Sequence, residues 1–314
     1  MISDISEQTS IKSGANTETE TVPVAVVMIT LNEAHNMEAV LQNLKGWAQQ
    51  VFVVDSYSAD ATVDIALAHG VHVVQRRFLG FGDQWNFALE NLPIKAPWTM
   101  KLDPDERLSD QLKRNIGKAI KANEVDGLEM KRRLWFMGKP LPIRQRLLRA
   151  WRTDTCRFSE VLVNEHPLVT GQVNLINGDL EHHDSPDLHH WFEKQNRYST
   201  AEALSAFRGS PLAERPSLFG SSLQRRMWFK RLLRRLPLQG LLMFAYCYFL
   251  QGAWRAGRVG WIWSSLRAHV HRMRALKLME MRIKDEPIRL PPSLTGSPHP
   301  DVQEIDYDTD GSAR

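Results

Sequence analysis

Cysteine is scarce in this chain of 314 residues, since only Cys156 and Cys247 occur and their spacing forms no pair. This usage gives no indication of a disulfide framework or of a zinc site. The first 22 residues are polar and lack an apolar run, which is typical of a disordered leader and not of a signal peptide. We therefore expect a cytoplasmic protein, unless a later segment attaches it to a membrane.

Glycine-rich phosphate loops are also missing. Neither G-x-G-x-x-G nor G-x-x-x-x-G-K-[ST] follows the first apolar segment. Their absence argues against a dinucleotide enzyme and against a P-loop nucleoside triphosphatase, because both hold phosphates with such a turn. If this chain binds a nucleotide, other groups must hold it.

Acidic residues are absent from a long C-terminal stretch. Between Arg215 and Lys277 there are 13 Lys and Arg but no Asp or Glu, although the whole chain has a net charge of only +4. Leucines and tryptophans are interspersed, which is typical of amphipathic helices in the headgroup layer of an anionic membrane. Basic stretches with aromatics also bind nucleic acid, but the leucine-rich faces favour lipid. We therefore expect no nucleic-acid partner.

The uncharged stretch over residues 236–254 leaves alternatives open. Its length could just span a bilayer, but it contains proline, glutamine and glycine and is equally basic at both ends. Matched flanks give no orientation under the positive-inside rule. We predict that this stretch lies on the membrane surface. A single span is one alternative, and a homo-oligomer formed through its Trp and Leu faces is another.

Strands and helices alternate through the first 120 residues. Apolar, β-branched runs predict strands at residues 22–30, 51–55, 71–78 and 98–103. Helix-period patterns predict helices at residues 33–47, 62–70, 80–92 and 111–120. Units of about thirty residues predict an α/β fold with a mainly parallel sheet covered on both faces.

Polar residues lie where several of these strands end. Thr30, Asn32 and Glu33 follow the first strand, Asp55 ends the second and Asp103 ends the fourth. Ligands bind at the carboxyl ends of the strands in sheets of this kind. The sequence therefore predicts one coherent site at this edge of the sheet.

The stretch KLDPDERLSD places three carboxylates within four residues. Asp103 and Asp105 can present carboxylates from one turn to a divalent cation, which would keep other ligand positions for phosphate and water. The alternative is a solvated loop that caps the next helix. Glu106 and Ser109 fit this alternative better than the two aspartates do. The short D-x-D pattern leaves both interpretations open.

Asp55 is followed by Ser56, Ser58 and Asp60. A carboxylate at this position can accept a hydrogen bond from a pyrimidine ring N–H or from a ribose hydroxyl. The competing interpretation is turn and helix-capping chemistry, which Asp60 satisfies two residues before Thr62. We keep Asp55 as a functional candidate and assign Asp60 to the cap.

Seven short motifs occur in an order that resembles family 2 glycosyltransferases. They are TLNE, VVDSYSADATVDIA, GFGDQWNFALE, LDPDERL, FSEVLVNEHPLV, GDLEHHD and KQNRYST. The similarity runs from about Val22 to about Ala203 and is greatest to a small bacterial subgroup that contains lipopolysaccharide-core β-1,4-glucosyltransferases. The resemblance implies a GT-A fold, a nucleotide-sugar donor, a divalent cation such as Mg²⁺ or Mn²⁺, and inversion at the anomeric carbon.

Individual roles follow from matching the motifs residue by residue. The resemblance implies a donor site of Thr30, Asn32, Glu33, Asp55, Gln84, Asn86, Asp103 and Arg149. It implies metal contacts from Asp105, Asp103 and His182, and a general base at Glu165. The other histidines of EHHDSPDLHH are expected at the surface or at a helix start. Lys194 and Asn196 could contact an acceptor or a phosphate.

Three departures from the family pattern affect these expectations. Tyr57 replaces a glycine in the Asp-Ser-Gly-Ser pattern, so we expect the backbone of that turn to differ. Asp83 and Trp85 stand where lysines are usual, and Asn164 replaces the histidine beside Glu165. None of these changes removes a residue that the chemistry requires.

Together these patterns predict four regions and one activity. The regions are a disordered leader (1–22), a GT-A domain (23–215), a basic amphipathic membrane-associating region (216–280) and a disordered tail (281–314). The predicted activity is inverting transfer of a sugar, expected to be UDP-linked, to a glycan or lipid-linked acceptor in surface-polysaccharide assembly. The enzyme would lie at the inner face of the cytoplasmic membrane. A peptide glycosyltransferase and a catalytically silent membrane scaffold remain alternatives.

Overall fold

A computed structural model describes residues 21–159, 166–209, 224 and 239–288. Most of the predicted leader and of the predicted tail lie outside these residues. The same holds for the proposed base Glu165 and for much of the basic region before residue 239.

The described residues form ten strands and seven α-helices. The strands are β1 (Val22–Thr30), β2 (Ala48–Asp55), β3 (His72–Gln75), β4 (Trp98–Lys101), β5 (Glu106–Leu108), β6 (Gly127–Phe136), β7 (Lys139–Arg152), β8 (Cys156–Phe158), β9 (Pro167–Val169) and β10 (Val173–His183). The α-helices are α1 (Ala34–Leu44), α2 (Thr62–Ala68), α3 (Phe81–Asn91), α4 (Asp110–Ala122), α5 (Leu188–Phe207), α6 (Gln239–Ala245) and α7 (Gly257–Lys284). A π-helical turn (Tyr246–Leu250) and a 3₁₀ turn (Ala253–Ala256) connect the last two helices.

Eight strands form one sheet in the order β3-β2-β1-β4-β7-β6-β10-β5, and β8 pairs with β9. The first four strands of this order are parallel to one another. Strand β7 is antiparallel to both β4 and β6, whereas β10 is parallel to β6 and antiparallel to β5. The predicted α/β fold with a mainly parallel sheet is thus confirmed, and the antiparallel pairings lie in the half that the sequence left unassigned.

Strand β1 is buried on both of its faces. Val24, Val26 and Met28 pack into a core cluster with residues of α1 and α4. Ala25 and Val27, which alternate with them, pack into a second cluster with residues of α3. Successive side chains of a strand point to opposite faces, so the unbroken apolar run of β1 is what a central strand covered by helices on both sides requires.

The C-terminal helices pack against the sheet domain. Residues of β6, β7 and α5 share an apolar cluster with the π-helical turn, the 3₁₀ turn and α7. Its buried members include Phe136, Leu141, Trp191, Cys247 and Trp263. Helix α7 continues to Lys284, beyond the predicted boundary at residue 280. Within the described part of the chain, no helix combines the length and apolar character that crossing a membrane requires.

Tyr57 has a φ of 59°, in the left-handed region that a glycine adopts readily. The backbone amide of Ser58 donates to Oδ2 of Asp55 at 2.8 Å and helps to hold this turn. Tyr57 therefore adopts a backbone conformation that glycine favours, and the expectation that this turn differs from the family's turn stays a prediction. Hydrogen bonds around Asp55 hold a non-glycine residue there, at a cost of about 1–2 kcal/mol.

Candidate functional site

A cavity of about 930 Å³ opens at the carboxyl ends of β1 and β4. Seven residues that the sequence nominated line it, namely Thr30, Asn32, Glu33, Asp103, Asp105, Arg149 and His182. The predicted convergence at this edge is therefore present. Its volume lies in the range of pockets that bind small molecules and cofactors.

Asp55 lies behind the cavity wall and is fully buried. Its carboxylate accepts hydrogen bonds from Thr30 Oγ1 at 2.8 Å, from the Ser58 amide at 2.8 Å and from Gln75 Nε2 at 3.1 Å. The neighbouring turn is held in a similar way, because Asn32 Oδ1 accepts from the amide of Ala59 at 2.8 Å. Asp55 thus organises the loops that present Thr30 and Asn32 to the cavity.

Gln84 and Asn86 are buried within α3 and do not line the cavity. Gln84 accepts from Arg76 Nη1 at 2.9 Å. Asn86 forms a pair of hydrogen bonds with the backbone of Phe158, accepting at 2.8 Å and donating at 3.1 Å. In this structure both side chains fix α3 against its neighbours.

The assignment of Asp60 and Ser109 to helix caps is confirmed. Asp60 accepts from the amides of Thr62 and Ala34, at 3.0 and 3.1 Å, and so links the starts of α2 and α1. Ser109 Oγ accepts from the Leu112 amide at the start of α4. These caps satisfy donors that a helix leaves free in its first turn.

Glu106 departs from the sequence interpretation, which placed it in a solvated, helix-capping role. It is fully buried, contacts Nη2 of Arg149 and accepts from the Asp103 amide at 3.1 Å. Burial raises the pKa of Glu106, and the charge of Arg149 opposes that rise. The interpretation was wrong because β5 pairs with β10, which turns Glu106 into the interior.

Arg149 joins two of the carboxylates from the acidic turn. Its Nη2 lies 2.8 Å from Oδ2 of Asp103 and also contacts Glu106. Burial would raise the pKa of Asp103, but Arg149 and Lys101 lower it to about 2. Arg149 is itself buried at the cavity wall. Its guanidinium is therefore engaged by protein carboxylates, and Asp103 stays ionised.

Two carboxylates and one imidazole lie close together in the cavity wall. They belong to Asp105, Asp184 and His182. Each of the three residues offers one ligand atom, and these three atoms all lie within 4.8 Å of one another. The backbone explains this convergence, since the amide of His183 donates to the carbonyl of Asp105 at 2.7 Å. Asp103 is not part of the cluster, and Asp184 takes the place that the sequence gave to Asp103.

These three side chains fit a divalent cation. Oδ1 of Asp105 and Nδ1 of His182 are buried and have no hydrogen-bond partner among the described residues. Buried polar atoms without partners are costly and call for an explanation such as an ion. Carboxylate oxygens suit Mg²⁺ and Mn²⁺, and imidazole is a common ligand of transition metals.

Lys194 lies against the same cluster from α5. Its Nζ donates to Oδ2 of Asp105 at 2.8 Å and lies 3.0 Å from Oδ1 of Asp184. Burial would raise the pKa of Asp105, but Lys194 and His182 hold it well below its usual range. Burial would lower the pKa of Lys194, but Asp105 and Asp184 raise it well above its usual value. The site therefore contains a stable ammonium–carboxylate pair.

Glu33 is the carboxyl group of the site whose protonation changes near neutral pH. Burial and the charge of Asp105 raise its pKa to about 7, although Lys194 opposes the shift. Its Oε2 accepts from Asn36 Nδ2 at 2.8 Å. Near pH 7, Glu33 is therefore present in both its protonated and its ionised form.

Two residues of the site escaped prediction as parts of it, and a third makes a contact that the sequence did not suggest. In the sequence Asp184 stands among histidines, and it is recognised as part of the site only once β10 lies beside β5. The sequence named Lys194 as a contact to an acceptor or a phosphate, and in the structure its ammonium donates to Asp105. Arg132 lines the cavity and lies 3.6 Å from Glu106. The only signal in the sequence was the spacing of His182 and Asp184, which puts alternate residues on one face of an extended chain.

Residues 25–170 match the family described as "Glycosyl transferase family 2". Over these residues, which are somewhat less than half of the chain, the protein is similar to family 2 glycosyltransferase domains. Its α/β architecture is GT-A-like, as the resemblance implied. The match ends before His182, Asp184 and Lys194, so the family comparison includes Asp105 but not the other two members of the cluster.

Two curated relatives extend over most of the chain. An uncharacterised glycosyltransferase of Rickettsia prowazekii is 23% identical over 84% of this chain and 89% of its own length. The lipopolysaccharide core biosynthesis glycosyltransferase LpsC of Rhizobium meliloti is 27% identical over 77% of this chain and 86% of its own. Distant homology to a lipopolysaccharide core glycosyltransferase is therefore established, while donor and acceptor are not.

Solved structures give more remote similarities. Glucosyl-3-phosphoglycerate synthase from Mycobacterium tuberculosis, solved with Mn²⁺ and UDP, is 22% identical, with a TM-score of 0.29 over 35% of this chain and 44% of that one. TarS from S. aureus, residues 1–349 with UDP, is 14% identical, with a TM-score of 0.37 over 85% of this chain and 93% of that one. At these scores neither structure bears on the site.

Proposed function

We propose that this protein is a metal-dependent, inverting glycosyltransferase that moves a sugar from a nucleotide-sugar donor to a glycan or lipid-linked acceptor. The observation that carries the proposal is the cluster of Asp105, His182 and Asp184 on the wall of a 930 Å³ cavity. A family 2 domain makes glycosyl transfer the reaction class. The cavity has room for a nucleotide and a sugar, and its carboxylates suit a diphosphate only if a cation accompanies it.

Asp105, His182 and Asp184 would hold the divalent cation. When bound, such a cation neutralises the negative charge that develops on a departing nucleoside diphosphate. Asp103 remains beside this cluster as an ionised acceptor at the cavity, where it can receive hydrogen bonds from donor hydroxyls. Arg149 keeps Asp103 ionised and holds it in place.

Thr30 and Asn32 are proposed to border the nucleotide. Both line the cavity at the end of β1, and Asp55 and Ser58 hold them in position through hydrogen bonds. The proposal keeps Asp55, Gln84 and Asn86 as donor-site residues in a supporting role, since they shape the walls from behind. UDP is the first nucleotide to test, with GDP beside it.

Glu165 is proposed as the general base. A sugar hydroxyl is a weak nucleophile at neutral pH, so a carboxylate must take its proton as the new bond forms. Direct attack on the anomeric carbon, opposite the leaving diphosphate, inverts that centre and requires no covalent enzyme intermediate. Glu165 lies outside the described residues, so its role is supported only by the resemblance of the sequence around it.

The acceptor is proposed to be a growing lipopolysaccharide core or a related lipid-linked glycan. Homology to LpsC supports this substrate class. A β-1,4-linked glucose would be the product if the chain follows the subgroup that its motifs resemble. The reaction would take place at the inner face of the cytoplasmic membrane.

An exposed apolar surface on the C-terminal helices supports attachment to that membrane. It comprises Leu241, Tyr246, Phe249, Leu250, Trp254 and Trp261. Leu250 is 80% exposed, and aromatic contacts connect Phe249, Tyr248, Phe244 and Trp261 in a row. Arg255 and Arg258 are exposed nearby in the chain. Apolar rings beside basic residues are what an anionic headgroup layer binds.

Transfer from labelled UDP-sugars tests the proposal. Purified protein, Mn²⁺ and a panel of UDP- and GDP-sugars are incubated with rough lipopolysaccharide, with lipid-linked glycans and with a peptide mixture. We expect incorporation from one donor into lipopolysaccharide or lipid-linked glycan, and its loss in the chelator EDTA and in Glu165→Gln. Incorporation into peptide only would refute the acceptor class. If every donor fails and no UDP or GDP binds, the chain is a silent scaffold.

A further inference from the structure

The Lys194 ammonium and the candidate metal cluster use the same two carboxylate groups. Nζ of Lys194 lies 2.8 Å from Oδ2 of Asp105 and 3.0 Å from Oδ1 of Asp184. It also donates to the backbone carbonyl of Asp184 at 3.1 Å. Two of the three residues that would ligate a divalent cation are therefore already paired with one cationic side chain of the protein.

A divalent cation and this ammonium would compete for the negative charge of the cluster. Mg²⁺ binds oxygen at about 2.0–2.1 Å and demands near-ideal geometry. Its entry would bring a double positive charge within a few ångströms of Nζ, because both cations would bind the carboxylates of Asp105 and Asp184. Because like charges repel strongly where water is scarce, entry of the cation favours movement of the ammonium away from the cluster.

Lys194 has a place to move to. Its side chain lines the cavity, and a lysine ammonium sits on a flexible four-carbon stem. The space next to it is where the diphosphate of the donor is proposed to lie. A phosphate oxygen would give the displaced ammonium a new partner with the same sign of charge as the carboxylates it left.

We propose that Lys194 is an exchangeable counter-cation, which holds Asp105 and Asp184 before metal binds and transfers to the donor diphosphate when metal enters. This inference rests on the metal site of the proposed function. It assigns to Lys194 a positioning and charge-balancing role that changes with the state of the site. The carboxylates then always have a cationic partner.

The exchange has a thermodynamic consequence. Metal alone must displace Lys194 without giving it a new partner, so it binds weakly. Metal with a nucleoside diphosphate binds more tightly, in part because the ammonium gains a phosphate. Each of the two ligands therefore raises the affinity for the other through Lys194. Such coupling is reciprocal, and the change in affinity is typically about 5–150-fold.

Titration of Mn²⁺ into the full chain, alone and then with saturating UDP, measures this coupling. Lys194→Met removes the competing charge, and Lys194→Gln does so while keeping a hydrogen-bond donor. We expect each variant to bind Mn²⁺ alone about tenfold more tightly than the wild type. The factor by which UDP improves Mn²⁺ affinity should shrink by a similar amount.

Lys113→Met serves as the matched control. Lys113 is a partly buried lysine whose ammonium contacts the carbonyl of Asn43, away from the cluster. Its removal should leave Mn²⁺ affinity unchanged. Folding is checked in each variant by near-UV circular dichroism and by Tm in EDTA. The rise in Tm on adding Mn²⁺ should be larger in both Lys194 variants than in the wild type, even if their metal-free forms are less stable.

The outcomes separate this inference from the proposed function. If the wild type binds Mn²⁺ and both Lys194 variants bind it equally well or more weakly, the counter-cation role is wrong and the metal site stands. If neither the wild type nor the variants bind Mn²⁺, with or without UDP, both the metal site and the counter-cation role fail. If metal binding becomes measurable only after Lys194 is replaced, the inference is supported in its strongest form.

Discussion

Nη2 of Arg149 lies 2.8 Å from Oδ2 of Asp103 and contacts the fully buried Glu106 on its other side. Arg149→Met would leave two carboxylates without their main cationic partner. Removing one partner from a buried ion pair costs about 3–5 kcal/mol. We expect a loss of this size in the free energy of unfolding, measured by urea denaturation at pH 7.

A double-mutant cycle checks the cause of that loss. Glu106→Gln removes the buried charge that Arg149 neutralises. Residues in one ion-pair network show interaction energies of about 0.5–3 kcal/mol, so the Arg149→Met/Glu106→Gln double variant should be less destabilised than the sum of the single changes. Strict additivity would show that the pair contributes through packing and not through charge.

Glu33 makes the stability of the metal-free protein depend on pH. Its pKa is raised from 4.5 to about 7 in the folded state, so folding favours the protonated form. The contribution of Glu33 to the free energy of unfolding is fully present below about pH 4.5 and is lost as the pH rises through 7. Glu33→Gln removes this loss. In EDTA we expect the variant to gain on the order of 3 kcal/mol over the wild type between pH 4.5 and pH 7.5.

Urea denaturation at the two pH values measures this difference. Glu90→Gln is the matched control, because Glu90 is an exposed glutamate in α3, away from the cluster. If the free energy of unfolding of Glu33→Gln equals that of the wild type at both pH values, the carboxyl of Glu33 is ionised throughout, contrary to the expectation.

Gly178 lies in β10 with a φ of 115°, against the first turn of α4. A Cβ at this position would come within 2.7 Å of the backbone of Leu112. Because backbone atoms cannot yield as a flexible side chain can, Gly178→Ala should destabilise the fold by about 2–3 kcal/mol. Thermal and urea unfolding give the value. Gly117→Ala in α4 is the control, since its Cβ would meet only a methyl of Val22 at 3.3 Å.

The exposed apolar surface of the C-terminal helices should determine binding to lipid. Phe249→Ser together with Leu250→Ser removes two of its most exposed side chains. We expect affinity for phosphatidylglycerol vesicles to fall about tenfold or more, measured by flotation. Leu67→Ser, which changes an exposed leucine on α2, should have no effect. If the double variant floats with vesicles as the wild type does, this surface serves another purpose, such as contact with a second copy of the chain.

The N-terminal half of the fold could be predicted from the sequence, whereas the C-terminal half could not. Strands β1 to β4 are apolar and separated by helices with clear periodicity, so local pattern and tertiary structure agree. Strands β6 and β7 carry charged stretches such as Lys131-Arg132-Arg133, which do not suggest a sheet. They are strands because hairpin pairing with each other and long-range pairing with β4 and β10 override that pattern.

The candidate site, like the fold, could be predicted from the sequence only in part. Positions at the ends of β1 and β4 could be predicted, since parallel strands end at one edge. Asp184 and the burial of Glu106 depend on β10 pairing with β5, across more than seventy residues of sequence. Lys194 depends in turn on where α5 lies. No spacing rule connects these residues, and only the folded chain brings them together.

Calorimetric titration of UDP tests the central claim, which is that Asp105, His182 and Asp184 hold a cation that supports nucleotide binding. The wild type is compared with Asp105→Asn and Asp184→Asn, each in Mn²⁺ and in EDTA, with GDP as the second nucleotide. We predict that one nucleotide binds in Mn²⁺, that EDTA abolishes binding, and that both variants lose it. Binding that is equally tight in EDTA, or unchanged in both variants, would contradict the account.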